Sequence, residues 1–149
     1  SLDDTLQAVR EQTGLTHGDP LVVDAAEFFV RAIFLIQKGK GFAEAFRLAA
    51  AAGDYESLAA SVEVARAEGA STANPLAAVK AFGLTCHTPE AFPAIVYLAL
   101  LHEGNVAEAL SINGLCGGDT AARAMVLAVL FAARECTVEA SAQTIEEGK

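Results

Sequence analysis

Three times in this chain a side chain that caps helices stands directly before a proline: Asp19-Pro20, Asn74-Pro75 and Thr88-Pro89. Asp, Asn and Thr accept hydrogen bonds from the free N–H groups of a helix's first turn. Proline fits the first helical position because its missing N–H has no partner there anyway. Asp54, after Gly53, reads as a further cap, and Asp3-Asp4-Thr5 reads as the cap of an opening helix. Glycines recur between the apolar segments, where helices stop. No segment alternates apolar and polar residues with period two, and Ala, the best helix former, fills the runs between caps. The pattern therefore predicts an all-α fold, a compact orthogonal array of about eight or nine helices near 3–13, 20–38, 42–52, 54–68, 75–82, 89–103, 105–113, 119–135 and 137–147.

Helix 20–38 contains "AAEFFVRAIFLI", apolar over most of its circumference, and is expected at the centre. Helix 119–135 is apolar all round except for Arg123 and Arg134. Helix 54–68 carries Glu56, Glu63, Arg66 and Glu68 and is expected to face water on one side. Pro93 falls inside the 89–103 segment and should kink it near its first turn. Loops are short and no repeat or linker interrupts the 149 residues, which suits one domain over 1–149.

Composition narrows the function. Hydrophobic residues make up 53% and charged residues 19% of the chain, too apolar for disorder. Mean hydropathy is +0.37. The longest apolar run, Ala124 to Ala133, is still only half of the roughly twenty residues a bilayer requires, so no membrane partner is expected. The net charge of −9 repels phosphate backbones and argues against direct nucleic-acid binding. The opening "SLDDTLQAV" has neither an initiator Met nor a basic region before an apolar run, and reads as a fragment or processed piece without a signal peptide. Cys86, Cys116 and Cys136 form no Cys-x-x-Cys pair. They read as buried, reduced thiols of a cytoplasmic protein.

Little in the chain points to chemistry. His17, His87 and His102 lack the spacing of a helical metal pair, and the neighbours Cys86-His87 read as a structural loop rather than a nucleophile and base. The strongest candidate is Gly117-Gly118-Asp119. Two glycines let a backbone approach a ligand or take positive φ, the helix that follows offers free N–H groups, and Asp119 is an oxygen donor for a hard cation. The alternative is purely structural. Asp119 then caps the helix by accepting from Ala121 or Ala122, with Arg123, four residues on, as an ion-pair partner.

"FGLTCHTPEAFPAIVYLALLHEGNVAEALSINGLCGGDTAARAMVLAVL" resembles the C-terminal part of the ADP-ribosylglycohydrolase family, and "LTHGDPLVVDAAEFFVRAI" resembles its central Thr-His-x-x-Pro helix. The likeness runs from about Thr16 to Arg134. It implies a many-helix fold, of which this chain would be the C-terminal half, and a site where ADP-ribose lies near Mg²⁺ and water cleaves a glycosidic bond. In active members Gly-Gly-Asp continues as Asp-x-Asp-Thr, all ligating metal. Here those positions are Asp119, Ala121 and Ala122, so only the first ligand is present. The form is more similar to the crystallin-like branch. The family's other metal ligands lie in an N-terminal segment this chain lacks. The resemblance thus assigns Asn113, Gly117, Gly118 and Arg123 to ligand binding and Asp119 to a degenerate metal site, and leaves catalytic residues unassigned. It implies three readings: an ADP-ribosylglycohydrolase-like protein with an incomplete Mg site and no activity as this chain alone; a Mg-dependent hydrolase completed by a missing segment; or a structural, crystallin-like protein. Expected partners are ADP-ribose or a related nucleotide, and either a second copy or the missing half, since half of a helical array leaves an apolar face open.

Overall fold

The computed structural model describes residues 1–53, 55–71 and 74–147, and the side chains of all of these except 71 and 137–147. The described residues form eight helices and no strand: α1 (Leu2–Gly14), α2 (Pro20–Gln37), α3 (Phe42–Ala52), α4 (Glu56–Ser71), α5 (Pro75–Phe82), α6 (Thr88–Leu101), α7 (Val106–Cys116) and α8 (Thr120–Glu147). No helix among them is long and apolar enough to cross a membrane.

The caps explain most of the boundaries. Asp19 Oδ1 accepts from the Leu21 N–H at 2.9 Å and Asn74 Oδ1 from the Ala77 N–H at 3.3 Å, each with Pro at the next position. Two expected caps are corrected. The first helix is capped by Ser1, which accepts from the Asp4 N–H while Asp4 reaches back to the terminal amine, so Asp3 and Asp4 lie in the first turn. The cap of α6 is His87, and Thr88 is already helical, because proline tolerates the second position of a helix as well as the first. Asp54 lies outside the described residues. The two helices expected at 119–135 and 137–147 are one continuous α8, since no Gly or Pro stands near Cys136 to end the first.

The centre of the array is α6. Phe92 through Ala99 are eight consecutive buried residues, a helix apolar on all sides and walled in by α2, α3, α4, α5, α7 and α8. Pro93 is among them, and α6 runs unbroken through it from Thr88 to Leu101. Around α6, α2 packs on α1, α3 and α8, which agrees with its apolar circumference. A chain of aromatic contacts ties these helices together. Phe28 of α2 meets Phe92 of α6 edge-on at 4.9 Å and Phe46 of α3 at 5.9 Å. Phe46 continues to Phe42, which meets Phe131 of α8 at 5.1 Å. Helix α4 shows the expected wet face, with Glu56, Glu63 and Arg66 exposed and Leu58, Val62 and Ala65 buried.

Of the three thiols only Cys116 is buried. Cys86 is exposed because it lies in the α5–α6 loop, and Cys136 because it sits on the outer side of α8. That outer side is an uncovered apolar stripe: Ala121, Met125, Ala128, Val129 and Ala132 are all exposed, at the spacing of one helical face.

One buried acid has no signature in the local sequence pattern. Glu27, on α2, is 3% exposed and pairs with Arg31 one turn on, Oε1 to Nη2 at 2.8 Å, and with Arg10 of α1. Arg31 Nε also donates to the Tyr55 hydroxyl at 3.0 Å. Burial alone would raise the Glu27 carboxyl, but the hydrogen bonds of Tyr55, Arg31 and Arg10 outweigh it and hold the group below the usual carboxylate range. Burial likewise pushes the Tyr55 hydroxyl up to about 12. Because the folded-state value of Glu27 is depressed, its contribution is present above the unfolded carboxylate pKa and lost as pH falls through the lower folded value. Urea denaturation should therefore show the wild-type chain losing stability below about pH 4.5 more steeply than Glu27→Ala. At neutral pH that variant should cost about 2–3 kcal/mol, less than a wholly buried pair because Arg10 is half exposed. Parallel pH profiles for the two proteins would refute the assignment.

Candidate ligand site at the start of the last helix

The α7–α8 junction turns in three residues. Helix α7 ends at Cys116, and Gly117 and Gly118 follow with φ of +76° and +69°. L side chains rarely adopt that backbone, so two glycines in succession are a geometric requirement here. At Gly118 space adds to it, since a Cβ would collide with the carbonyl of Leu84 in the α5–α6 loop. The same carbonyl accepts from the Asp119 N–H at 2.9 Å. The turn is thus pinned to the loop that carries Cys86 and His87.

Asp119 stands immediately before α8. Its Oδ1 accepts from the Ala122 N–H at 3.1 Å, as the capping alternative requires, and the carboxylate sits at the positive end of the helix dipole. Its expected ion pair with Arg123 does not form. Arg123 turns inward and is fully buried. Its Nε donates to Asn113 Oδ1 at 2.7 Å and its Nη2 to the Gly117 carbonyl at 2.6 Å, while Nη1 is buried without a hydrogen-bond partner. Asn113, 1% exposed, completes the link by donating from Nδ2 to the Thr120 carbonyl at 2.8 Å. The reason for the different pairing is directional. The cap points the Asp119 oxygen at its own helix N–H groups, whereas Arg123, one turn into α8, reaches beneath the turn to carbonyl and amide oxygens. Burial raises the Cys116 thiol despite the nearby Arg123 charge, so this thiol is held protonated.

The structure therefore brings Asn113, Gly117 and Arg123 into one hydrogen-bonded unit, with Gly118 exposed on the turn and Asp119 half-buried at its end. Ala121 and Ala122 follow, with no oxygen in their side chains. Among the described residues no three His, Cys, Asp or Glu side chains come together. Around Cys86-His87 the contacts are local. The Thr85 hydroxyl lies 3.1 Å from His87 Nδ1 and accepts from the His87 N–H, and Glu90 accepts from the Thr85 N–H at 3.0 Å. That backbone hydrogen bond lowers the Glu90 carboxyl. His102, buried at the end of α6, sits 3.6 Å from a Glu108 oxygen.

The importance of these groups can be ranked by denaturation. Asp119→Ala should cost about 1 kcal/mol through loss of the cap. Arg123→Met should cost more, about 2–3 kcal/mol, because Asn113 Oδ1 and the Gly117 carbonyl lose their charged donor. The opposite order would show that the cap and not the guanidinium holds the turn.

A family model for ADP-ribosylglycohydrolase matches residues 1–135. No curated protein and no solved structure gives a match. The family match takes in every helix through the body of α8, including the Gly117-Gly118-Asp119 turn and the Asn113–Arg123 link, and agrees with the all-helical architecture. The chain belongs to the ADP-ribosylglycohydrolase family.

Proposed function

We propose that this chain is an ADP-ribosylglycohydrolase-like protein in which the metal-holding turn has become a structural turn, and that as this chain alone it does not cleave ADP-ribosyl bonds. The observation that carries the reading is the occupation of Asp119: its Oδ1 caps Ala122, and the next two side chains with a family counterpart in metal binding are Ala121 and Ala122. A hard divalent cation such as Mg²⁺ takes about six oxygens, and one capping carboxylate beside two methyl groups does not supply that set. The donor set at this turn does not fit the ion. The buried Arg123 guanidinium adds fixed positive charge beneath the same turn, which opposes a second cation there.

The ligand role that remains is binding of ADP-ribose or a related nucleotide along the Gly117-Gly118 turn. Gly118 is exposed, so its backbone is open to an approaching phosphate or ribose, and the Arg123 guanidinium beneath the turn supports an anion there. Asn113 and Arg123 act as positioning residues, since both are buried and reach a ligand only through the backbone they hold. The uncovered stripe at Met125 and Val129 supports a second copy, or another part of a larger family body, as partner.

The test is a mono-ADP-ribosylated peptide incubated with the chain and Mg²⁺, beside calorimetric titration with ADP-ribose. The expected result is no Mg²⁺-dependent release of ADP-ribose, with ADP-ribose binding unchanged by a chelator. Release that requires Mg²⁺ and disappears in Asp119→Asn would overturn the structural reading of the turn. Absence of any ADP-ribose binding would overturn the ligand role.

A further inference from the structure

The first turn of α1, the C-terminal half of α2 and the end of α3 line a half-open cavity of about 240 Å³. Leu2, Phe34, Leu35 and Leu48 make its walls, and Ala52 completes them. Among the described residues two in the lining carry charge, Arg31 and Lys38, and both are cations. In a chain of net charge −9 a cavity whose described lining holds two cations and no acid is the reverse of the average surface.

Among the described residues the positive charge there is in surplus. Glu27 is the carboxylate nearest to Arg31 in the hydrogen-bond network, and it is shared with a second cation, Arg10. One negative charge thus stands against two guanidinium groups, with the Lys38 ammonium in addition. Arg31 commits Nε to Glu27 and Tyr55 and Nη2 to Glu27, which fixes its plane and leaves Nη1 with no hydrogen bond among the described residues. Lys38, at the end of α2, likewise has no ion pair among them. A guanidinium held by three hydrogen bonds, together with an exposed ammonium, suits a planar carboxylate.

We propose that this cavity binds a medium-chain aliphatic carboxylate, with the hydrocarbon body between Leu2, Phe34, Leu35 and Leu48 and the carboxylate at Arg31 and Lys38. Size selects the body. An apolar cavity of about 150 Å³ takes benzene, so the space here suits a chain of roughly six to ten carbons. The apolar walls exclude a small, fully hydrated anion, because such an ion gains nothing from them and loses water. This site is built from helices other than α7 and α8, and it stands or falls independently of the nucleotide reading.

The experiment is calorimetric titration of the full chain with octanoate, with acetate and octylammonium as controls. Octanoate is expected to bind saturably at one site, and acetate and octylammonium are expected not to bind. Lys38→Ala, at an exposed position, should weaken octanoate roughly two- to fivefold, the range of an exposed ion pair. Leu48→Trp, checked for an unchanged helical signal, should fill the cavity and abolish binding. Equal binding of octanoate and octylammonium, no saturable octanoate binding, or octanoate affinity unmoved by Lys38→Ala would each overturn the proposal.

Discussion

The rest of this structure depends on the burial of α6. From Phe92 to Ala99 the helix has no side that tolerates water, so it cannot lie on a surface and must be enclosed. Enclosure of a rod takes several partners, and here six other helices contact it. The amphipathic helices then arrange themselves by turning their apolar stripes inward: Phe28 and Ile36 from α2, Phe42 and Phe46 from α3, Leu58 and Val62 from α4. Aromatic rings do much of the joining, because each buries a large area and meets its neighbour edge-on or offset.

Two charges enter this interior, and they are neutralised differently. Glu27 meets opposite charges, Arg31 on its own helix and Arg10 on α1, so its burial is balanced by ion pairing. Arg123 meets no carboxylate among its hydrogen-bond partners. It is held by an amide oxygen and a backbone carbonyl and keeps its charge through dipoles alone. The distinction bears on function. A guanidinium stabilised by dipoles alone retains its full positive potential under the Gly117-Gly118 turn.

The motif at this turn illustrates how one residue pattern can serve either binding or structure. Gly-Gly-Asp places a carboxylate at a helix start, and that carboxylate is available either to a cation or to the helix's own N–H groups. What decides between the two is the number of other oxygens nearby, since a helix cap needs one acceptor and a hard cation about six. With Ala121 and Ala122 next in the chain, the cap is the interaction these residues can complete.

How much of this was legible in the sequence follows from the range of each interaction. Helix type, most boundaries, the caps at Asp19 and Asn74, and the capping of α8 by Asp119 were readable, because each is fixed by residues within one turn of one another. The one-residue shift at Thr88 and the continuity of α8 through Cys136 were misread, since a local pattern shows where a helix can stop and not whether it does. The partner of Arg123 was misassigned because Asp119 is four residues away in sequence, whereas Asn113 lies across a turn whose two positive-φ glycines reverse the chain. Glu27 with Arg10 and Tyr55, and the cationic cavity beside Arg31, were invisible for the same reason: their members come from separate segments that only tertiary packing brings together. The sequence by itself determined the helices and their ends, through local hydrogen bonds and steric limits on φ. The tertiary structure alone decided which buried charge met which partner, because that is set by long-range burial of apolar faces.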